Sequence, residues 1–134
     1  MNQDQFSTVD KMNPAHINPV CQNMVNLRLA GNVTPITWYK FILTNSGKPD
    51  IVAITILSDI IYWYTPTITR DEVTGNVVGL DQRFKADKLQ KTYQKYSDIF
   101  GFSKNQVKLA IDNLCDRKLI IYVSQSNQQN KRRI

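Results

Sequence analysis

Residues 103–108 place two lysines, an asparagine and a glutamine within six consecutive positions. On a helix these positions span less than two turns, so their side chains share neighbouring surface. Asparagine and glutamine can form two hydrogen bonds with adenine at once, and lysine can donate to guanine or phosphate. Lys104, Asn105, Gln106 and Lys108, with Ser103 before them, are therefore candidates for contact with base edges. A solvated polar face on an ordinary core helix is the alternative.

The helix that must present these side chains is marked at its start and along its length. Ser103 is an N-cap candidate, and Gln106 completes an S-x-x-Q capping box three positions later. Apolar residues then recur at i, i+3, i+4 and i+7, the spacing of a stripe that anchors a helix in a core. The stripe consists of Val107, Ala110, Ile111 and Leu114.

A shorter helix and a sharp turn precede this one. Thr92 is an N-cap candidate for a helix whose inward residues are Tyr93, Tyr96, Ile99 and Phe100. Ser97 is small, as a close helix crossing requires, and Gly101 can adopt the left-handed conformation that turns the chain. The spacing from Ser97 through Gly101 to Val107 is typical of a helix-turn-helix.

The residues after this motif predict a wing, a β-hairpin that follows the second helix. Residues 117–123 indicate a helix end that runs into a strand, and a polar loop over 124–130 leads to the basic segment 131–134. A wing requires the strand that begins near Leu119 to pair with residues close to Ile134. Leu89–Lys91 is a candidate for a further short strand that pairs with the wing.

The positive charge of the chain is concentrated in its second half. The net charge is +6, and residues 71–134 hold twelve basic and seven acidic side chains against five and four in residues 1–70. This asymmetry favours a polyanionic partner. Several basic residues are candidates for phosphate contacts, the alternatives being a solvated surface and a frayed basic terminus. They are Lys85, Lys88, Lys91, Lys95, Lys131, Arg132 and Arg133.

The remaining inventory of reactive groups is small. The 134 residues include one histidine (His16), one glutamate (Glu72) and two cysteines, Cys21 and Cys115, without CxxC spacing. This set argues against a hydrolase and against a zinc site. We therefore expect no catalytic residues, no metal and no cofactor, and two free thiols in a reducing compartment.

A third helix is predicted over residues 51–64. Asp50 is an N-cap candidate and Pro66 closes the segment. Apolar residues at a helical period predict the core face, which consists of Ile51, Ile54, Leu57, Ile60, Ile61, Trp63 and Tyr64. The other side is expected to carry Thr55, Ser58, Asp59 and Tyr62. Residues 73–77, with a glycine between strand-prone residues, then predict a hairpin or an extended loop.

The first 47 residues predict an N-terminal arm and extension. Residues 1–20 form an irregular arm with two Asn-Pro pairs, and residues 20–30 have the pattern of a short helix. Thr34-Pro35 resembles an N-cap followed by a first helical residue, before an aromatic segment over 36–43. The predicted domains are therefore residues 1–47 and a winged-helix domain over residues 48–134.

No targeting or membrane segment is expected. The N-terminus has neither a basic region nor an apolar region of the signal-peptide type. The longest apolar stretch, residues 51–64, is shorter than a bilayer requires and contains Ser58 and Asp59. We therefore expect a cytoplasmic protein without a membrane partner.

Three segments together resemble the N-terminal winged-helix domains of DnaD-like and replisome-organiser proteins of phages, plasmids and mobile elements. They are residues 57–66 (LSDIIYWYTP), 84–93 (FKADKLQKTY) and 100–107 (FGFSKNQV), followed by Leu119-Ile120. The resemblance covers roughly residues 48–123. It implies a protein that opens or remodels origin DNA and helps to recruit a replicative helicase or primase.

The sequence thus predicts an α+β fold, a winged helix-turn-helix with an N-terminal helical extension. We expect a non-enzymatic DNA-binding protein that acts in replication initiation or replisome assembly of a mobile element. A transcriptional repressor with the same motif, in the form of a homodimer, is one alternative. A protein-interaction module that uses the aromatic residues Trp38, Tyr39 and Phe41 is another.

Overall fold

The computed structural model describes residues 16–27, 30–124 and 132–133. The chain divides into two compact units, Met1–Ala30 and Gly31–Ile134, so the domain boundary predicted after residue 47 falls within the second unit. The helices are α1 (Pro19–Met24), α2 (Trp38–Phe41), α3 (Ile51–Tyr64), α4 (Tyr93–Phe100) and α5 (Lys104–Asp116). The strands are β1 (Thr67–Arg70), β2 (Val77–Asp81), β3 (Val123–Ser124) and β4 (Arg132–Arg133).

The fold is of the mixed α+β class, as the sequence predicts. Its strands form two separate antiparallel pairs, β1 with β2 and β3 with β4. The longest helix among the described residues is α3, and no helix there has the length and apolar character needed to cross a bilayer.

Helix α3 begins and ends where local chemistry predicts. The Asp50 side chain accepts a hydrogen bond from the Ala53 backbone N–H at 3.1 Å, which satisfies one of the free donors of the first turn. The helix ends at Tyr64, two residues before Pro66, and the Thr65 N–H donates back to the Ile61 carbonyl. The predicted cap and the predicted end are both confirmed.

The burial of α3 differs from the prediction. Ser58 and Asp59, expected on an exposed polar side, are buried, whereas Ile51, Ile61 and Tyr64, expected in the core, are about half exposed. Ser58 donates to the Val33 carbonyl, and Asp59 accepts from the Asn32 side chain. Chain segments distant in sequence cover this side of the helix, and no local period can reveal them.

The helices before α3 are shorter than the sequence predicts. In the first unit, the Asn18 side chain caps α1 at the Val20 N–H, and no residue of α1 is buried. In the second unit, α2 begins at Trp38 rather than at Thr34-Pro35, so that prediction is wrong. The aromatic segment 36–43, whose sequence is compatible with either a helix or a strand, forms one helical turn, and Ile42 after it is buried.

The predicted hairpin between α3 and α4 is present. Strands β1 and β2 pair with Ile68 opposite Leu80, and the turn contains Gly75 at φ +72°. The Asp71 carboxylate accepts from the N–H groups of Thr74 and Val73, and these bonds lower the pKa of Asp71. The turn is thus held by an acidic side chain as well as by a glycine.

The core lies where α3, α4 and α5 meet. All four residues of the predicted α5 stripe are buried there, as is Tyr96 of α4. Tyr93 and Phe100 are partly buried, whereas Ile99, expected inward, is 46% exposed. The apolar spacing of 107–114 therefore identifies the buried face of α5 correctly.

The last two strands form a short antiparallel pair. Val123 lies opposite Arg133 and Ser124 opposite Arg132. The strand begins at Val123 rather than near Leu119. Leu89–Lys91 forms no strand, so that part of the prediction is wrong: Leu89 and Lys91 are buried instead.

Candidate nucleic-acid interface

The turn between α4 and α5 has the geometry that the sequence predicts. The Thr92 hydroxyl accepts from the Lys95 N–H at 3.1 Å and starts α4. Gly101 ends it at φ +77°, with its N–H donating to the Ser97 carbonyl at 2.9 Å. A residue other than glycine is strained in this left-handed conformation, so the sharp turn depends on Gly101.

The capping box at the start of α5 is complete. The Ser103 hydroxyl accepts from the Gln106 N–H at 3.1 Å, and the Gln106 side-chain Oε1 accepts from the Ser103 N–H at 2.9 Å. Two otherwise unpaired donors are thereby satisfied by side chains of the helix itself. The first turn of α5 is therefore ordered without help from another element.

The side chains of that first turn project into solvent. Lys104 and Asn105 are exposed, and neither side chain makes a hydrogen bond or ion pair with the residues that the structure describes. Lys108 is also exposed and donates to the Asp112 carboxylate at 2.7 Å. This surface pair lies one helical turn apart and is weak in water, so Lys108 can exchange it for another anion.

The other end of α5 is anchored. The Asn113 side-chain Nδ2 donates to the Leu43 carbonyl at 3.1 Å and to the Asp50 carboxylate at 2.7 Å. Arg117 donates to the carbonyl oxygens of Phe41 and Leu43 at 2.6 and 2.7 Å. The C-terminal end of the helix is thus fixed to the 41–50 segment, while its N-terminal turn stays accessible.

Lys91 does not share the surface of the other candidate lysines. Its ammonium lies 2.5 Å from the Asp59 carboxylate, and the side chains of the two residues are 10% and 9% exposed. The same ammonium lies 4.8 Å from the centre of the Trp63 ring and 5.3 Å from that of Tyr96. Lys91 is already neutralised within the core, and we leave it out of the candidate interface.

Burial also affects the tyrosine beside this ion pair. Tyr96 is fully buried, and its hydroxyl has no hydrogen-bond partner among the described residues. Burial, followed by the charge of Asp59, raises the pKa of Tyr96 well above its usual value. Tyr96 therefore stays protonated at ordinary pH, and the Asp59–Lys91–Tyr96 cluster is a structural feature of the core.

Other candidate basic residues lie outside α5. Lys95 is exposed in the first turn of α4. Arg132 and Arg133 form β4, the strand that pairs with β3 after α5. Lys131 lies outside the described residues. The structure thus brings Ser103, Lys104, Asn105, Gln106 and Lys108 onto one helix end.

One surface that the sequence analysis did not identify lies beside the C-terminal end of α5. An apolar groove runs between α3 and the segment after α5, and its walls include Phe41, Ile61 and Ile121. Two features of the sequence could have indicated this groove. The apolar face of α3 is wider than packing against a single neighbouring helix requires, and residues 119–121 are apolar. Of the residues that line the groove, the sequence analysis places Trp38 and Phe41 in a possible interaction surface.

Comparisons of this chain with protein-family models, with curated proteins and with solved structures found no match. The resemblance to DnaD-like and replisome-organiser domains therefore stays a prediction.

Proposed function

We propose that residues 93–133 form a winged helix-turn-helix that binds duplex DNA, with the N-terminal turn of α5 in the major groove. The observation that carries this proposal is the contrast within α5. Four buried side chains fix one face of the helix, while Lys104 and Asn105 at its start are exposed and have no partner among the described residues. Recognition helices contact base edges with these N-terminal positions.

The chemistry of the exposed turn suits base recognition. Asn105 can donate to and accept from adenine in one bidentate contact, and Lys104 can donate to guanine or to a phosphate. Gln106 uses its Oε1 for the capping box, which leaves its amide donor for an acceptor on DNA. Because the capping box already orders the first turn of α5, DNA binding does not carry the entropic cost of ordering it.

The β3–β4 pair supports the wing of the proposed motif. Arg132 and Arg133 belong to a strand that is paired without DNA. In the proposal these arginines and Lys131 lie beside the DNA backbone or in the minor groove, where the potential is most negative over A·T-rich sequence. Lys95 would contact phosphate from α4 and add affinity without sequence preference.

We further propose that this DNA binding serves replication initiation or replisome assembly of a phage, plasmid or mobile element in the cytoplasm, without catalysis by this chain. The support is the resemblance of residues 57–66, 84–93 and 100–107 to replisome-organiser domains. A replicative helicase or primase is the partner that this resemblance implies.

The experiment is a fluorescence-anisotropy titration of a labelled duplex at several salt concentrations. Lys104→Ala with Lys108→Ala should weaken binding by about 1–3 kcal/mol in total. The matched control is Lys40→Ala with Lys48→Ala, which removes the same charge from exposed positions outside α5. Equal losses from the two double variants would show diffuse attraction and contradict the proposed interface.

The wing is tested by the salt dependence of the same titration. Removal of residues 131–134 should flatten the slope of log K against log salt by roughly 0.9 for each phosphate that the shortened chain no longer neutralises. Affinity alone cannot separate a wing from a diffuse basic tail. Replacing Val123 by proline, which removes a backbone donor within β3, should therefore flatten the slope as well. An unchanged slope in that variant would argue for the diffuse tail.

A further inference from the structure

The groove beside α5 is large and apolar for an exposed surface. Its volume is about 1030 Å³, and it lies between α3 and residues 117–123. Ile42, Leu57 and Ile60 form a buried floor, whereas Phe41 is 69% and Ile121 is 86% exposed on its walls. Contiguous apolar surface of this kind marks an interaction site on a soluble protein.

The α3 wall of the groove has a helical repeat. Leu57, Ile60, Ile61 and Tyr64 line it at i, i+3, i+4 and i+7. These positions run along two turns of α3, which corresponds to about 10 Å of helix axis. A straight apolar stripe of this length fits a second helix that packs against it, with its own side chains between those of α3.

The rim of the groove is positive. Of the described residues that line it, Lys88, Arg117 and Lys118 are basic and none is acidic. Arg117 donates its hydrogen bonds to neutral oxygens, those of Phe41, Leu43 and Asn113, so these bonds do not neutralise its charge. Lys88 has Asp87 at 3.7 Å, but both side chains are well exposed and their attraction is weak.

Lys118 provides a second, independent observation at this rim. Its backbone φ is +59°, and it is the one described residue other than glycine with a positive φ. This position follows the end of α5, where glycine is usual and carries no strain. A lysine in this strained conformation beside the groove supports a role for its side chain there.

We propose that the groove binds an amphipathic helix of a partner protein, with apolar residues at i, i+3, i+4 and i+7 and aspartate or glutamate on both flanks. The apolar side chains fill the floor, and the carboxylates pair with Lys88, Arg117 and Lys118. A second copy of this chain carries a net charge of +6 and is therefore the poorer electrostatic match. This site is separate from Ser103–Lys108, none of which lines the groove.

The experiment uses two labelled synthetic peptides of about four helical turns that share one leucine stripe. One carries glutamate at the flanking positions and the other carries lysine. The full chain should bind the glutamate peptide at least about tenfold more tightly, by fluorescence anisotropy at low salt. Equal binding of the two peptides, or no binding of either, would overturn the proposal.

Three variants locate the site. Ile121→Asp, at a position too exposed to matter for the core, should weaken glutamate-peptide binding by at least about tenfold. The matched control is Val78→Asp, on the exposed β2 strand outside the groove, and it should bind as the parent chain does. Lys118→Gly should raise the melting temperature and weaken peptide binding at the same time, whereas a purely structural lysine would change only the first.

The oligomeric state decides between a partner helix and a second copy. Sedimentation of the full chain and of Ile121→Asp measures self-association directly. If the parent chain self-associates, if Ile121→Asp abolishes this, and if the glutamate peptide does not compete, then the groove is an interface between copies and the proposal is wrong. Competition by the peptide would support it.

Discussion

The two ends of helix α5 carry similar basic and amide side chains, but those at the N-terminal end are exposed and those at the C-terminal end are hydrogen-bonded to another segment. At the N-terminal end, Lys104 and Asn105 are exposed and make no side-chain hydrogen bond or ion pair with the described residues. At the C-terminal end, Asn113 and Arg117 donate hydrogen bonds to the 41–50 segment. The difference teaches that a basic and amide-rich helix can anchor one end in the fold while the side chains at its other end stay accessible to solvent.

The same contrast separates the lysines. Lys91 and Lys104 are both basic residues of the more basic half of the chain, yet Lys91 is paired with Asp59 in the core. Counting charges along the sequence treats them as equal. Only the contact of Lys91 with a residue 32 positions away shows that it cannot contribute to an external field in the way that Lys104 can.

The largest expected effect follows from removing this buried pair. Asp59→Ala leaves the Lys91 ammonium buried without its carboxylate and should lower the free energy of unfolding by about 3–5 kcal/mol, measured by urea denaturation. Lys108→Ala breaks an exposed pair on α5 and should change stability by less than about 0.5 kcal/mol. Similar losses in the two variants would mean that the Asp59–Lys91 pair is hydrated in solution.

The next-largest loss of stability is expected at the C-terminal, anchored end of α5. Asn113→Ala removes the donor shared by the Leu43 carbonyl and the Asp50 carboxylate, and it should destabilise the fold by about 1–3 kcal/mol. DNA affinity, measured well below the melting temperature, should be unchanged. A loss of DNA affinity at unchanged stability would place the ligand at this end of α5 and reverse the comparison.

The turn before α5 gives a smaller effect with a single cause. Apart from its chain neighbours, a Cβ atom at Gly101 would meet no described atom within 4 Å, so the strain of φ +77° is the main penalty expected there. Gly101→Val should lower the free energy of unfolding by more than about 1 kcal/mol. Gly101→Asn should be milder, because asparagine tolerates the left-handed conformation better than valine does. Equal melting temperatures for both variants would contradict this account of the turn.

The smallest loss of stability is expected at the N-terminal end of α5. Ser103→Ala removes the hydroxyl of the capping box and should cost about 1 kcal/mol in stability, measured by thermal unfolding. Ser103→Asp restores an acceptor and should recover most of that loss. The aspartate also adds a negative charge beside Lys104, so in the proposed interface it should weaken DNA binding while it restores stability.

Local signals predict the parts of the fold that depend on neighbours in sequence. Asp50, Thr92, Gly101 and the Ser103–Gln106 box all lie where the sequence predicts them, because caps and left-handed turns involve contacts within a few residues. The α5 stripe is predictable for the same reason.

Contacts between distant segments account for the errors. The period of α3 predicts Ser58 and Asp59 in solvent, but Val33, Asn32 and Lys91 provide partners that no such period reveals. Leu89–Lys91 forms no strand for the same reason. Leu89 and Lys91 are buried in contact with α3 instead of pairing with a neighbouring strand. The apolar groove also depends on α3 and residues 117–123 lying side by side, which the sequence does not specify.

The most direct test of the contrast within α5 is an NMR titration of the ¹⁵N-labelled chain with a short DNA duplex. The largest changes in amide chemical shift should fall on residues 103–108 and on the paired strands β3 and β4. Residues 113–117 and the α3 side of the apolar groove, Leu57, Ile60, Ile61 and Tyr64, should stay unchanged. Shifts centred on residues 113–121, or no shifts at all at low salt, would contradict the assignment of the N-terminal turn of α5 as the DNA-binding end.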